Sequence, residues 1–170
     1  MCIRDSLWEV AQEIPARYYI NIQGDEPMVD PNDILKVLNA RQKWPDFLIN
    51  GYIEISDQED PNSINIPKVI FDENKRLIYM SRKPLPSSKS GILPTIFHKQ
   101  VCIYAFNDDE LKAFGERRKK TFLETYEDIE ILRFLEMGYP IKMVKMSKAS
   151  LAVDIPEDVH IVQEALRSGL

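Results

Sequence analysis

Residues Tyr18 to Ile22 form an apolar run of β-formers that stops abruptly at Gln23-Gly24-Asp25-Glu26-Pro27. Such a run reads as a buried strand whose C-terminal end carries two carboxylates. Gly24 permits a sharp turn there, and Pro27 keeps the strand from resuming. In open α/β sheets that edge is where ligands sit. A carboxylate held there suits Mg²⁺, the usual companion of nucleotide phosphates. Asp25 is the first candidate ligand, while Glu26 falls on the opposite side of the bend.

The rest of the chain alternates in kind. Asp30, Pro31 and Asp33 form a cap, a first-turn proline and an acidic first turn, which predicts a helix over Pro31 to Lys43. Phe47 to Ile49 and Tyr52 to Ile55 read as strand. Pro67 to Phe71 and Leu77 to Met80 flank a short polar link and read as a hairpin. Lys83 to Pro94, rich in Pro and Ser, reads as a flexible loop. Gln100 to Phe106 and Pro140 to Met146 read as strands. Asp108 to Phe114, Glu124 to Gly138 and Pro156 to Arg167 read as helices, the second of them stopped by Gly138. This alternation, with one hairpin excursion, indicates an α/β protein with a mixed sheet.

A chain of 170 residues, 44% hydrophobic and 29% charged, fits one soluble domain with a real core. A net charge of −5 argues against a surface that coats nucleic acid. No apolar run approaches about 18 residues, so no membrane-spanning helix is expected. No secretory signal is visible. Two cysteines, Cys2 and Cys102, give no disulfide framework, and a reducing cytoplasm is the simplest compartment.

Four motifs occur in order: Gln23-Gly24-Asp25-Glu26-Pro27, Tyr79-Met80-Ser81-Arg82, Ile103-Tyr104, and Val153-Asp154-Ile155-Pro156-Glu157-Asp158. This series resembles the 3-deoxy-manno-octulosonate cytidylyltransferase (CMP-Kdo synthetase) family, from about Tyr18 to the C-terminus. The resemblance implies a Rossmann-like nucleotide-diphospho-sugar transferase fold, a mixed sheet with helices on both faces. It implies transfer of CMP from CTP to the anomeric hydroxyl of Kdo for lipopolysaccharide biosynthesis. It also implies a Mg²⁺ cofactor and a homodimer with the hairpin near the contact. Nucleic acid and membrane are not expected partners.

On this resemblance Asp25 and Asp154 are the catalytic, metal-holding residues, each at the C-terminal end of a strand. Ile155 replaces a family Thr, a natural helix cap, and Glu157 and Asp158 offset that loss through the helix dipole. Substrate contacts fall to Gln23, Arg82, Gln100, Tyr104, Glu124 and Glu127. A guanidinium such as Arg82 matches a carboxylate bidentately, and the acceptor sugar carries one. Gln100 departs from a family His that contacts the sugar, which leaves the sugar open. His98, two residues earlier on the same strand face, is a possible substitute. Glu124 and Glu127 share a helix face and suit sugar hydroxyls or the dimer partner.

Met1 to Ser6 resemble translated adapter sequence and are set aside as a non-native leader, leaving residues 7 to 170 as a partial cytidylyltransferase domain. The family's opening Gly-rich basic loop, which holds the triphosphate and cytosine, is not found. Ile14 to Arg17 match its start only by coincidence. The chain alone is therefore expected to be inactive. The alternatives are a cytidylyltransferase for another acidic sugar (8-amino-Kdo, sialic or legionaminic acid), or an inert fragment.

Overall fold

The structure, a computed structural model, describes residues 3–57, 59–92, 94–147, 153, 156 and 158–168. Its elements are α1 (Ile3–Glu13), β1 (Tyr19–Ile22), α2 (Pro31–Lys43), β2 (Leu48–Glu54), β3 (Lys68–Phe71), β4 (Leu77–Ser81), β5 (His98–Phe106), α3 (Asp108–Glu116), α4 (Phe122–Glu127), α5 (Ile131–Glu136), β6 (Ile141–Lys145) and α6 (Asp158–Ser168). Among the described residues no helix is long and apolar enough to cross a membrane.

The six strands form one mixed sheet in the order β4-β3-β5-β2-β6, with β1 also paired to β5. The long strand β5 organises it. One edge of β5 takes β2. The other takes β1 along residues 103 to 106 and β3 at Lys99. All of these pairs are antiparallel, and β2 and β6 run parallel.

Alternation along β5 separates two cores. Its even-numbered side chains face a core containing Tyr104, Phe106, Leu111, Phe114, Leu132 and Phe134, which is covered by α3 and α5. Its odd-numbered residues Val101, Ile103 and Ala105 face Val37 and Ala40 of α2. Helices therefore cover both faces, and the expected fold class is the one observed. Gly51 lies on the α2 side, where a Cβ would come within 2.7 Å of Ile103 and 3.2 Å of Val101. The close approach of backbone and core requires glycine at this position.

Several sequence readings were short or wrong in detail. The two runs at 47–49 and 52–55 are one strand, continued through Asn50 and Gly51. The helix expected over Glu124 to Gly138 is two helices. Asp128 adopts φ 51°, a left-handed conformation that ends α4. Arg82 binds the carbonyls of Glu127 and Asp128, diverting acceptors that a continuous helix would use. The last helix begins at Asp158, two residues later than read. Helix α1 was not read at all, and it starts inside the segment set aside as a leader. Trp8 of α1 packs on Gly115 of α3, where a Cβ would lie 2.2 Å from the indole.

The hairpin does not project away from the body. Its turn folds back so that Met143 donates from its amide to the Lys75 carbonyl at 2.8 Å, and Arg76 bridges to Lys142. The outer edge of β6 is thereby covered rather than left open for pairing.

Candidate active site

A core-facing sheet surface should be apolar, yet one column of this sheet is not. Asn21 on β1 pairs with Tyr104 on β5, and Tyr104 pairs with Asn50 on β2. Gln100 lies four residues before Tyr104 on the same face. Asn50 is 0% exposed and Tyr104 is 2% exposed. Asn50 donates to the carbonyls of Val101 and Ile103, each at 3.0 Å. Its Oδ1 accepts from Gln100 Nε2 at 3.1 Å, and the same nitrogen donates to the Tyr104 hydroxyl at 3.2 Å. Asn21 Oδ1 is buried, with no hydrogen-bond partner among the described residues. Buried polar atoms are normally satisfied, so this unfilled acceptor on the column points to a ligand.

The column leads to the turn after β1. The Gln23 amide donates to the Cys102 carbonyl at 3.3 Å, and the Glu26 amide closes the turn onto the Gln23 carbonyl at 3.1 Å. Asp25 is exposed at the tip. Glu26 turns one oxygen inward, where it is buried without a partner among the described residues. Asp30 then caps α2, accepting from the Asn32 amide at 2.8 Å. One turn on, Asp33 is 4% exposed, and its carboxylate accepts from the Ser147 amide and hydroxyl. Burial works against ionisation of Asp33, but the bonds from Lys36 and Ser147 hold its carboxyl below the usual aspartate range.

The Val153 amide donates to the Asp25 carbonyl at 2.8 Å. The segment after β6 thus contacts α2 at Ser147 through Asp33 and the turn after β1 at Val153 through Asp25. Asp154, the next residue, lies outside the described residues. No group of three or more metal-ligating side chains occurs among the described residues. The donor set suggested by sequence, two aspartates at strand ends, is of the hard oxygen type that Mg²⁺ takes through one or two carboxylates. The exposed Asp25 and the Val153 contact fit that role.

A second polar group forms where β4 meets α4. Glu127 accepts from the Tyr79 hydroxyl at 3.0 Å and from the Arg82 amide at 2.8 Å. Burial alone would raise its pKa, but the bonds from Arg82, Ser81 and Tyr79 and the Arg82 charge hold it below the usual glutamate range. The Arg82 side chain donates to the carbonyls of Glu127, Ile64 and Asp128 at 2.6, 2.7 and 3.0 Å. Three of its five N–H groups therefore hold the protein together.

Glu124 is a correction. Expected to meet substrate, it is 0% exposed and pairs with Arg133 through two bonds of 2.6 Å. It also completes the capping box with Thr121 that starts α4. Both oxygens are engaged inside the core, where no substrate reaches. His98, considered as a stand-in for the missing family histidine, packs edge-on against Tyr52 and beside Phe71.

The structure thus brings Gln100 and Tyr104 together, and Arg82 with Glu127, while Gln23 joins the Cys102 backbone. Sequence reasoning missed Asn21, Asn50 and Asp33. A signal existed for Asn50, a polar residue inside the apolar run Leu48 to Tyr52.

Comparison with known proteins agrees in extent. A family model described as Cytidylyltransferase matches residues 4–147. A 3-deoxy-manno-octulosonate cytidylyltransferase of Chlorobium phaeobacteroides (strain BS1) is 31% identical, over 99% of this chain and 69% of its own length. That of Solibacter usitatus is 35% identical, over 98% and 66%. The mitochondrial enzyme of Arabidopsis thaliana is 33% identical, over 94% and 56%. Among solved structures, a CMP:2-keto-3-deoxy-manno-octonic acid synthetase complexed with CTP superposes with a TM-score of 0.88. It is 28% identical and is matched over 98% of this chain and 68% of its own.

Proposed function

The chain belongs to the 3-deoxy-manno-octulosonate cytidylyltransferase family, and we propose that it transfers CMP from CTP to the anomeric hydroxyl of Kdo, releasing pyrophosphate. This reaction activates Kdo for lipopolysaccharide assembly. The observation that carries the reading at the site is the Val153–Asp25 bond, which joins two family motifs that lie far apart in sequence.

Asp25 and Asp154 are the residues that would hold Mg²⁺. The ion, when bound, would neutralise phosphate charge and acidify the attacking hydroxyl. The chain's own residues do the positioning. Gln100 and Asn21 offer acceptors to sugar hydroxyls on the sheet face. Arg82 has two further N–H groups with which to meet the sugar carboxylate beside the Lys83 to Pro94 segment. No side chain stands out as a general base, so rate acceleration rests on orientation and charge neutralisation. A homodimer with the hairpin near its contact belongs to the same reading, supported by the exposed Ile78 on β4. The cytoplasm, where CTP is made, is the implied location.

The test is ³¹P NMR of CTP with a panel of 2-keto acid sugars, using the chain joined to the family's N-terminal nucleotide-binding segment. CMP-Kdo should form with one pyrophosphate per transfer. Transfer to sialic or legionaminic acid but not to Kdo would move the enzyme to another sugar. Absence of transfer to every acidic sugar would overturn the reading.

A further inference from the structure

We propose that Asn50 locks Gln100 as a hydrogen-bond acceptor, so that the site selects sugars by a donor group, a hydroxyl or a protonated amine, at that position. The inference rests on the functional reading above and adds a positioning residue and a polarity to it.

The argument starts from the backbone. The register of β2 on β5 shifts between Asn50 and Gly51, jumping from Tyr104 to Val101. Two carbonyls at this irregularity, those of Val101 and Ile103, accept from Asn50 Nδ2. A carbonyl can only accept, so the two faces of the Asn50 amide are not interchangeable. Its nitrogen must face the bulge and Oδ1 must face the other way. Whatever meets Oδ1 must then donate, which orients Gln100 with Nε2 towards it. The second Nε2 proton goes to the Tyr104 hydroxyl. With both N–H groups engaged, Oε1 is what Gln100 can offer a ligand. Asn50 and Tyr104 are buried, so solvent does not compete for these bonds. Asn21 Oδ1, beside Tyr104 on the same face, adds a second unfilled acceptor. Two acceptors call for donors on the ligand.

The test measures sugar binding to the chain itself by titration calorimetry, with Kdo and analogues in which single hydroxyls are replaced by fluorine, which accepts weakly but cannot donate. At one position fluorine should weaken binding about tenfold, as expected for one lost hydrogen bond. Against Gln100→Leu the same replacement should cost nothing. Tyr104→Phe keeps the ring and removes one anchor, so discrimination should shrink there too. One more readout reports the orientation of Gln100 directly, the solvent exchange of its side-chain amide protons. These should be protected in the unchanged protein and exposed in Asn50→Ser or Tyr104→Phe. If Asn50→Ser fails to fold, Tyr104→Phe carries the test. The same fluorine penalties in the unchanged protein and Gln100→Leu would overturn the proposal, as would rapid exchange in the unchanged protein. Absence of binding to any 2-keto acid sugar would instead strike the functional reading, a separate outcome.

Discussion

The Val153 amide and the Asp25 carbonyl lie 2.8 Å apart, so the segment that leads into Asp154 is bonded directly to the turn after β1. Asp25 itself is exposed and its side chain takes no part in that bond. Asp25→Asn should therefore leave stability within about 0.5 kcal/mol, while weakening divalent-metal binding. Mn²⁺ titration followed by electron paramagnetic resonance, beside a urea melt, checks both parts. Unchanged Mn²⁺ affinity would remove Asp25 from the metal site.

Arg82 ties Ile64 to the break between α4 and α5. Lysine keeps the charge but cannot reach three carbonyls from one ammonium. Arg82→Lys should cost about 1.5–3 kcal/mol, read by chemical denaturation. If Arg82 also meets the sugar carboxylate, the sugar's KM should rise more than that of CTP in the chain joined to its nucleotide-binding segment. A rise for CTP alone would assign Arg82 to the nucleotide.

The buried Glu124–Arg133 pair predicts an asymmetry. Glu124→Ala removes the carboxylate that faces Arg133 in the core and leaves its guanidinium, 3.7 Å from the Phe114 ring centroid, with the neutral carbonyls of Phe114 and Arg117. The single change should cost about 3–5 kcal/mol. Replacing both partners with apolar residues should recover much of it. The comparison is urea midpoints of the single and double variants.

His98 predicts a pH dependence. Burial against Tyr52 and Phe71 pushes its pKa down; nearby Glu54 opposes this, and Lys75 and Lys145 reinforce it. The folded state therefore resists protonation more than the unfolded chain. Stability from this site is fully present above the unfolded histidine value, about 6.5, and is lost as pH falls through the lower folded value. His98→Phe should flatten the fall in stability that begins as pH drops below about 6.5. An identical slope in the variant would count against it.

Gly115 is fixed by its neighbour. Gly115→Ala would place a Cβ against the Trp8 ring and push α1 outward. Overpacking of this kind costs about 1–3 kcal/mol. A red shift in tryptophan fluorescence should accompany the loss; an unshifted spectrum would mean the helix does not rest there.

The strands, the hairpin and α2 were legible because each depends on local signals: alternation, turn residues and the Asp30-Pro31 cap. The break at Asp128 was not, because its cause, Arg82, lies 46 residues away in sequence and acts through backbone carbonyls. The same limit hid Asp33, which reads locally as an acid in a first turn and is committed instead to Ser147, 114 residues on. Asp25 and Tyr104 could be named as candidates through motif order, and Gln100 through its departure from a histidine of the resembled family. Asn50 could be noticed as a polar residue in an apolar run, but its task follows only from the register shift opposite it. Glu124 showed the converse: a motif acid whose partner, Arg133, could not be seen from spacing.

The most direct test of the account is the transfer itself, followed by ³¹P NMR with CTP, Kdo and Mg²⁺ in the chain joined to its nucleotide-binding segment. The account predicts CMP-Kdo and pyrophosphate in equal amounts, with transfer lost in Asp25→Asn while CTP still binds. Transfer undiminished by Asp25→Asn, or no CMP-sugar from Kdo or any related 2-keto acid, would contradict it.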